Sequence, residues 1–110
     1  MSLPIIIAER AELDMALQYG WYLKNADAEI AERYLIAIDQ SIQHLAENPG
    51  LGIRRHFQSP ELAGIRSFQA ARPFDKHLIF YQAGDQISIE RVMHGARDLP
   101  RRLLEAPDEE

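Results

Sequence analysis

The period of the apolar positions changes along the chain, and each change marks an element. Leu3-Pro4-Ile5-Ile6-Ile7-Ala8 is rich in β-branched residues and opens with a proline, which a strand start tolerates, so it predicts a first strand. From Glu9 the composition turns to helix formers. Leu13, Ala16, Leu17, Gly20, Trp21 and Lys24 recur at steps of three and four. This spacing predicts an amphipathic helix with Glu9, Glu12 and Asp14 near its N-terminus, where the helix dipole favours acids. Trp21 is expected in the core of the helical pair. Asn25 and Asp27 break the pattern and supply capping chemistry.

A second helix follows, with Ile30, Tyr34, Leu35, Ile38, Ile42 and Leu45 on one face and Glu29, Glu32, Arg33, Gln40 and Gln43 on the others. Asn48-Pro49-Gly50 stops it. The short connection makes the pair an antiparallel hairpin, which stays folded only if something covers its apolar stripe. Residues 51–63 read as a loop. Three strand-like runs then supply the cover: Gly64–Ala71, Lys76–Gln82 and Gln86–His94, separated by turns at 72–75 and 83–85. The expected class is α+β: strand, two-helix antiparallel hairpin, then a three-stranded antiparallel meander. Asp98–Leu104 adds a short C-terminal helical turn. Residues 1–104 are expected as one domain, and 105–110 as a disordered acidic tail. Ile79, Tyr81, Ile87 and Ile89 suit a half-buried strand face, while Gly64 and Gly95 stand where a positive φ is wanted.

Charge changes this picture more than composition does. The net charge of −5 is unevenly distributed. Residues 1–50 carry eight acids and three bases, residues 51–104 five acids and nine bases, and residues 105–110 four acids. A basic sheet half joined to an acidic helical half suggests a polar partner for one face. The absence of cysteine excludes disulfides and thiolate chemistry. The first apolar run is too short to span a bilayer and lacks the flank of a signal peptide, so the expected location is the cytoplasm, away from membranes. His44 and His56 have no partner at metal-ligand spacing, and no metal or cofactor is expected.

Several motifs, in order, give the chain a resemblance that spans roughly Ile5 to Leu103. They are Ala11-Glu12-Leu13-Asp14, Ala31-x-x-Tyr34, and Ile38…Ile42…Leu45…Asn48-Pro49-x-x-Gly52. Pro60-Glu61-Leu62-Ala63-Gly64-Ile65-Arg66-Ser67 follows, then Leu78-Ile79-Phe80-Tyr81 and Val92-Met93-His94-Gly95-Ala96-Arg97-Asp98. Together they resemble the ParE/RelE toxin superfamily, nearest its ParE branch. The resemblance implies a β-α-α-β-β-β fold and the toxin half of a bacterial, plasmid-stabilisation-type toxin–antitoxin pair. It implies an inhibitor of DNA gyrase that acts by contact and is neutralised by a ParD-like antitoxin in a hetero-oligomer. The RelE branch implies the alternative, ribosome-dependent cleavage of messenger RNA.

Cleavage through a 2′-hydroxyl needs a base, an acid and positive charge on the phosphate. The sequence offers His94, Arg97 and Arg66 for such work, but no Tyr follows Tyr81 and the lysine pair of the RelE pattern is missing. An imidazole's ordinary pKa lies close to neutral, which makes His94 a candidate base, yet a lone histidine beside a glycine is more often a surface residue. The binding reading therefore leads, with no catalytic residue. Its target surface is assigned to Arg66, Arg72, Arg91, His94 and Arg97, whose forks suit carboxylates or phosphates. Arg91 and Arg97 are expected to be solvent-exposed. Each arginine also has a plain alternative: surface solvation or intramolecular pairing for Arg72, Arg91 and Arg97, and for Arg66 an ion pair with Asp75 or Glu90.

Overall fold

A computed structural model describes residues 2–95 and 99–105. The chain runs β1 (Ile5–Ile7), α1 (Glu9–Asn25), α2 (Ala28–Glu47), β2 (Ile53–Arg54), a 3₁₀ turn (Pro60–Leu62), β3 (Arg66–Gln69), β4 (His77–Ala83), β5 (Ile87–His94) and α3 (Leu99–Leu104). The α+β order is the expected one. The segment read as a loop contributes β2 and the 3₁₀ turn, elements too short to leave a periodic signal. The sheet has the order β1-β5-β4-β3-β2. Only β1 runs parallel to its neighbour, pairing Ile5 with Ile87 and Ile7 with Ile89. The meander is antiparallel throughout.

Local chemistry explains the breaks. Asp27 caps α2 by accepting a hydrogen bond from the Ile30 amide at 2.9 Å. After α2, the Tyr81 hydroxyl accepts from the Gly52 amide and donates to the Pro49 carbonyl, both at 2.8 Å. A Cβ on residue 52 would fall 2.5 Å from that hydroxyl, so glycine is required by close approach. Gly64 and Gly95 do take positive φ, +80° and +83°.

Both faces of the sheet are covered. On one, Tyr34, Ile38, Ile42 and Leu45 of α2 and Ala11 of α1 pack with Ile79, Tyr81, Ile87, Ile89 and Val92. On the other, Leu62, Ile65, Phe80, Met93 and Leu103 form a smaller cluster. Ile79, Tyr81, Ile87 and Ile89, expected to be half-buried, are therefore fully buried. Between β4 and β5 the register slips: Phe80 pairs with Arg91 and Tyr81 with Ile89, leaving Glu90 as the extra residue of a β-bulge. The bulge reverses the alternation beyond it, so Val92 joins the hairpin core while Met93 joins the smaller cluster.

Candidate functional site

The fold separates the sequence-predicted basic residues. Arg66 stands opposite Tyr81 at the start of β3. It donates Nη1–H to the Gly52 carbonyl at 2.8 Å, rather than pairing with Asp75 or Glu90. It thus braces the turn that Tyr81 holds from the other side. Arg72 is exposed in the turn after β3. That turn lies near the far end of β4, where the Ala70 amide bonds the His77 carbonyl at 3.0 Å. Arg66 and Arg72 therefore do not emerge side by side.

His94 ends β5 directly opposite His77, with ring centroids 4.8 Å apart. The Gly95 amide bonds the Lys76 carbonyl and fixes the turn beyond it. Arg72, Lys76 and His94 thus share one exposed end of the sheet. His77 is buried among Tyr22, Tyr34 and Phe74, with the Tyr22 hydroxyl 3.0 Å from its Nε2. Burial, helped by neighbouring His94, pushes the His77 pKa down to about 4, so at neutral pH the ring is uncharged. Arg97 lies outside the described residues, as do Asp98 and residues 106–110 of the predicted tail.

Arg91 departs from expectation. It is 4% exposed, not a surface residue. Its Nε and Nη2 grip the Asp14 carboxylate of α1 at 2.8 and 2.9 Å. Its Nη1 donates to the carbonyls of Arg102, Leu103 and Glu105 at the end of α3. Asp14 also accepts from the Val92 amide at 3.0 Å, so one carboxylate closes the edge of β5 beyond its pairing with β1. The reason is geometric: α1 leaves β1 and crosses that edge, and the bulge at Glu90 turns Arg91 toward α3. A buried arginine whose donors are so engaged is a structural clamp. In the sequence Asp14 is a helix N-terminal acid and part of a motif; an acid in the first turns of a helix gives no sign of a partner far along the chain.

The apolar stripe of α1 is the second departure. Ala11, Met15 and Tyr22 face the core, whereas Leu13 and Trp21 are exposed and Leu17 is half-buried. Trp21, expected in the hairpin core, is 47% exposed. The helix carries two apolar faces, and the sheet takes the one ending in Tyr22, whose hydroxyl reaches His77. The other face, with Ala16 and Gly20 between its large residues, has no cover among the described residues. On the far side of the hairpin, Gln40, Ser41 and His44 of α2 and Phe68, Gln69 and Ala71 line a cavity of about 190 Å³. Beside it, β2 pairs only with Arg66 and Ser67, so the outer edge of β3 beyond Ser67 has no strand partner among the described residues.

Among the described residues no helix is long and apolar enough to cross a membrane. No curated protein matches the chain. A chain from the "Chromosomal ParDE TA system from P. aeruginosa" has a similar structure, with a TM-score of 0.69 at 19% identity over 86% of this chain and 98% of that one. At that identity the likeness concerns the fold. A family model described as "ParE toxin of type II toxin-antitoxin system, parDE" matches residues 5–99, from β1 to the first residue of α3. The chain belongs to the ParE toxin family of type II toxin–antitoxin systems.

Proposed function

We propose that this ParE-family toxin acts in the cytoplasm by binding DNA gyrase rather than by cutting RNA, and that a ParD-like antitoxin silences it. The observation that carries the antitoxin half is the Leu13–Leu17–Trp21 face of α1, with the outer edge of β3 on the other side of the hairpin, both uncovered among the described residues. An amphipathic antitoxin helix suits the first and an added strand suits the second. Arg72, His94 and Arg97 remain the candidates for the target surface, with Arg66 partly engaged by its own turn.

Against the RNase alternative, the ring packed against His94 is that of His77, which burial holds uncharged, and Arg91 is committed to Asp14. Neither of these groups offers His94 an acid partner. Purified toxin should inhibit gyrase supercoiling or trap cleavage complexes while leaving ribosome-bound message intact. Cuts in the ribosomal A site would overturn the reading. Substituting Leu13→Asp together with Trp21→Ser should leave stability within about 0.5 kcal/mol, as exposed sites usually do. The same variant should lose copurification with the antitoxin encoded beside it. Undiminished copurification would move the antitoxin elsewhere.

A further inference from the structure

Beneath α3, on the face of the sheet away from the hairpin, lies a cavity of about 260 Å³. Leu62 and Ile65 form one apolar wall and Leu103 and Leu104 another. Most of its polar groups are already engaged. Arg91 holds Asp14 and the carbonyls of α3, and Arg10 donates to the Leu104 carbonyl at 2.9 Å. Glu61 accepts from the Ser59 hydroxyl, and Gln82 donates to the Ala63 carbonyl.

Glu90 is different. It is the bulge residue, half-buried at the cavity, and no donor among the described residues reaches its carboxylate. Burial raises its pKa, which is what an incompletely solvated carboxylate without a partner shows. An ion in that position is costly unless something pairs with it.

We propose that this cavity is a docking pocket for an arginine side chain of a polypeptide partner, with Glu90 as its counter-charge. The volume falls below the range for whole small-molecule ligands and suits one long side chain. Apolar walls match the methylene stem of such a residue, and the Glu90 carboxylate, which no donor among the described residues reaches, matches its charged end. Arginine fits better than lysine, because a guanidinium is more weakly hydrated and its planar fork meets a carboxylate with two hydrogen bonds. Glu9, exposed at the rim, adds charge of the same sign as Glu90. The pocket therefore recognises the opposite charge from the basic end of the sheet at Arg72, Lys76 and His94. Its chemistry is independent of which target the toxin inhibits.

The test is an amide NMR titration of the full chain with Nα-acetyl-arginine methylamide, using its neutral citrulline counterpart and the lysine analogue as comparators. Shifts should be confined to residues around Leu62–Ile65, Gln82, Glu90 and Leu103, with an affinity in the millimolar range. Glu90→Gln should weaken the arginine probe by about tenfold, the scale of one charge-assisted contact, without lowering the thermal midpoint. Equal binding of the citrulline probe would overturn the charge recognition. Equal binding of the lysine probe would overturn the choice of arginine. Shifts elsewhere, or an unchanged affinity in Glu90→Gln, would dismiss the pocket, and the citrulline comparison on the unsubstituted chain decides the matter even if the variant misfolds.

Discussion

On the hairpin side of the sheet, Tyr34, Ile38, Ile42 and Leu45 of a twenty-residue helix meet five buried strand residues. On the opposite side, the six-residue α3 contributes Leu103 to a small apolar cluster and is tied by guanidinium groups. Burial of several large side chains, each contributing about 1.5–3 kcal/mol, dominates the first attachment. The second depends on Arg91 and Arg10, which donate to four carbonyls at the end of α3. A short helix leaves these carbonyls unpaired by itself, and its isolated stability is negligible. Two coverings of one sheet therefore differ in what breaks them: cavities on one side, loss of a charge on the other.

The sharpest way to break that contrast is Arg91→Met. It fills similar volume but leaves Asp14 buried without its cation, and it strips three carbonyls of their donor. The expected loss is about 3–5 kcal/mol in urea denaturation. Protease cleavage near α3 should appear before the hairpin core opens. A loss below about 1 kcal/mol would mean that Asp14 is solvated, and the clamp would lose its meaning. Charge reversal at Arg91 would likewise report on folding, not on toxicity.

The hairpin side has its own polar liability in His77. The folded state keeps this ring neutral down to about pH 4, whereas the unfolded chain takes up a proton near its ordinary pKa of about 6.5. Between these values the unfolded state binds more protons. The stability is thus fully present above about pH 6.5 and is lost as the pH falls toward 4. The change is on the order of 3 kcal/mol. Denaturation midpoints across this window should show it, and His77→Gln should flatten the profile. An unchanged slope would place the acid sensitivity elsewhere.

A smaller effect sharpens the comparison at the end of α2. Tyr81→Phe removes the hydroxyl that bonds Gly52 and Pro49 while keeping the ring in the core. The expected cost is about 1–2 kcal/mol in thermal or urea unfolding, since the Gly52 amide is left unpaired in a tight site. No measurable change would show that water replaces the hydroxyl.

Most of the fold could be read from periodicity, because α2 and the three meander strands bury regular stripes. Ile30, Tyr34, Ile38 and Leu45 announced their helix, and Gly95 announced its turn. The clamp could not be read in this way. Arg91 sits in a strand whose bulge reverses which side it faces, and nothing in Ile89-Glu90-Arg91-Val92 marks the extra residue. Trp21 failed for a related reason: α1 has two apolar faces, and only the placement of Tyr22 against His77 decides which one turns inward. Charge asymmetry counts the sheet half as basic in bulk. It could not distinguish Arg72 at the surface from Arg91 within the core, because both count equally in a sum.

The parallel pairing of β1 with β5 also sets a timetable for synthesis. Ile5 leaves the ribosome ahead of both helices, yet its partner Ile87 is made only after them and three other strands. Until then α2 has no complete sheet on which to lay its apolar stripe, and such long-range closures form late and slowly. The nascent toxin therefore has nothing to gain from folding early. A chain stalled before Ile87 should remain open to proteases, and the finished surface should exist only once translation has passed His94.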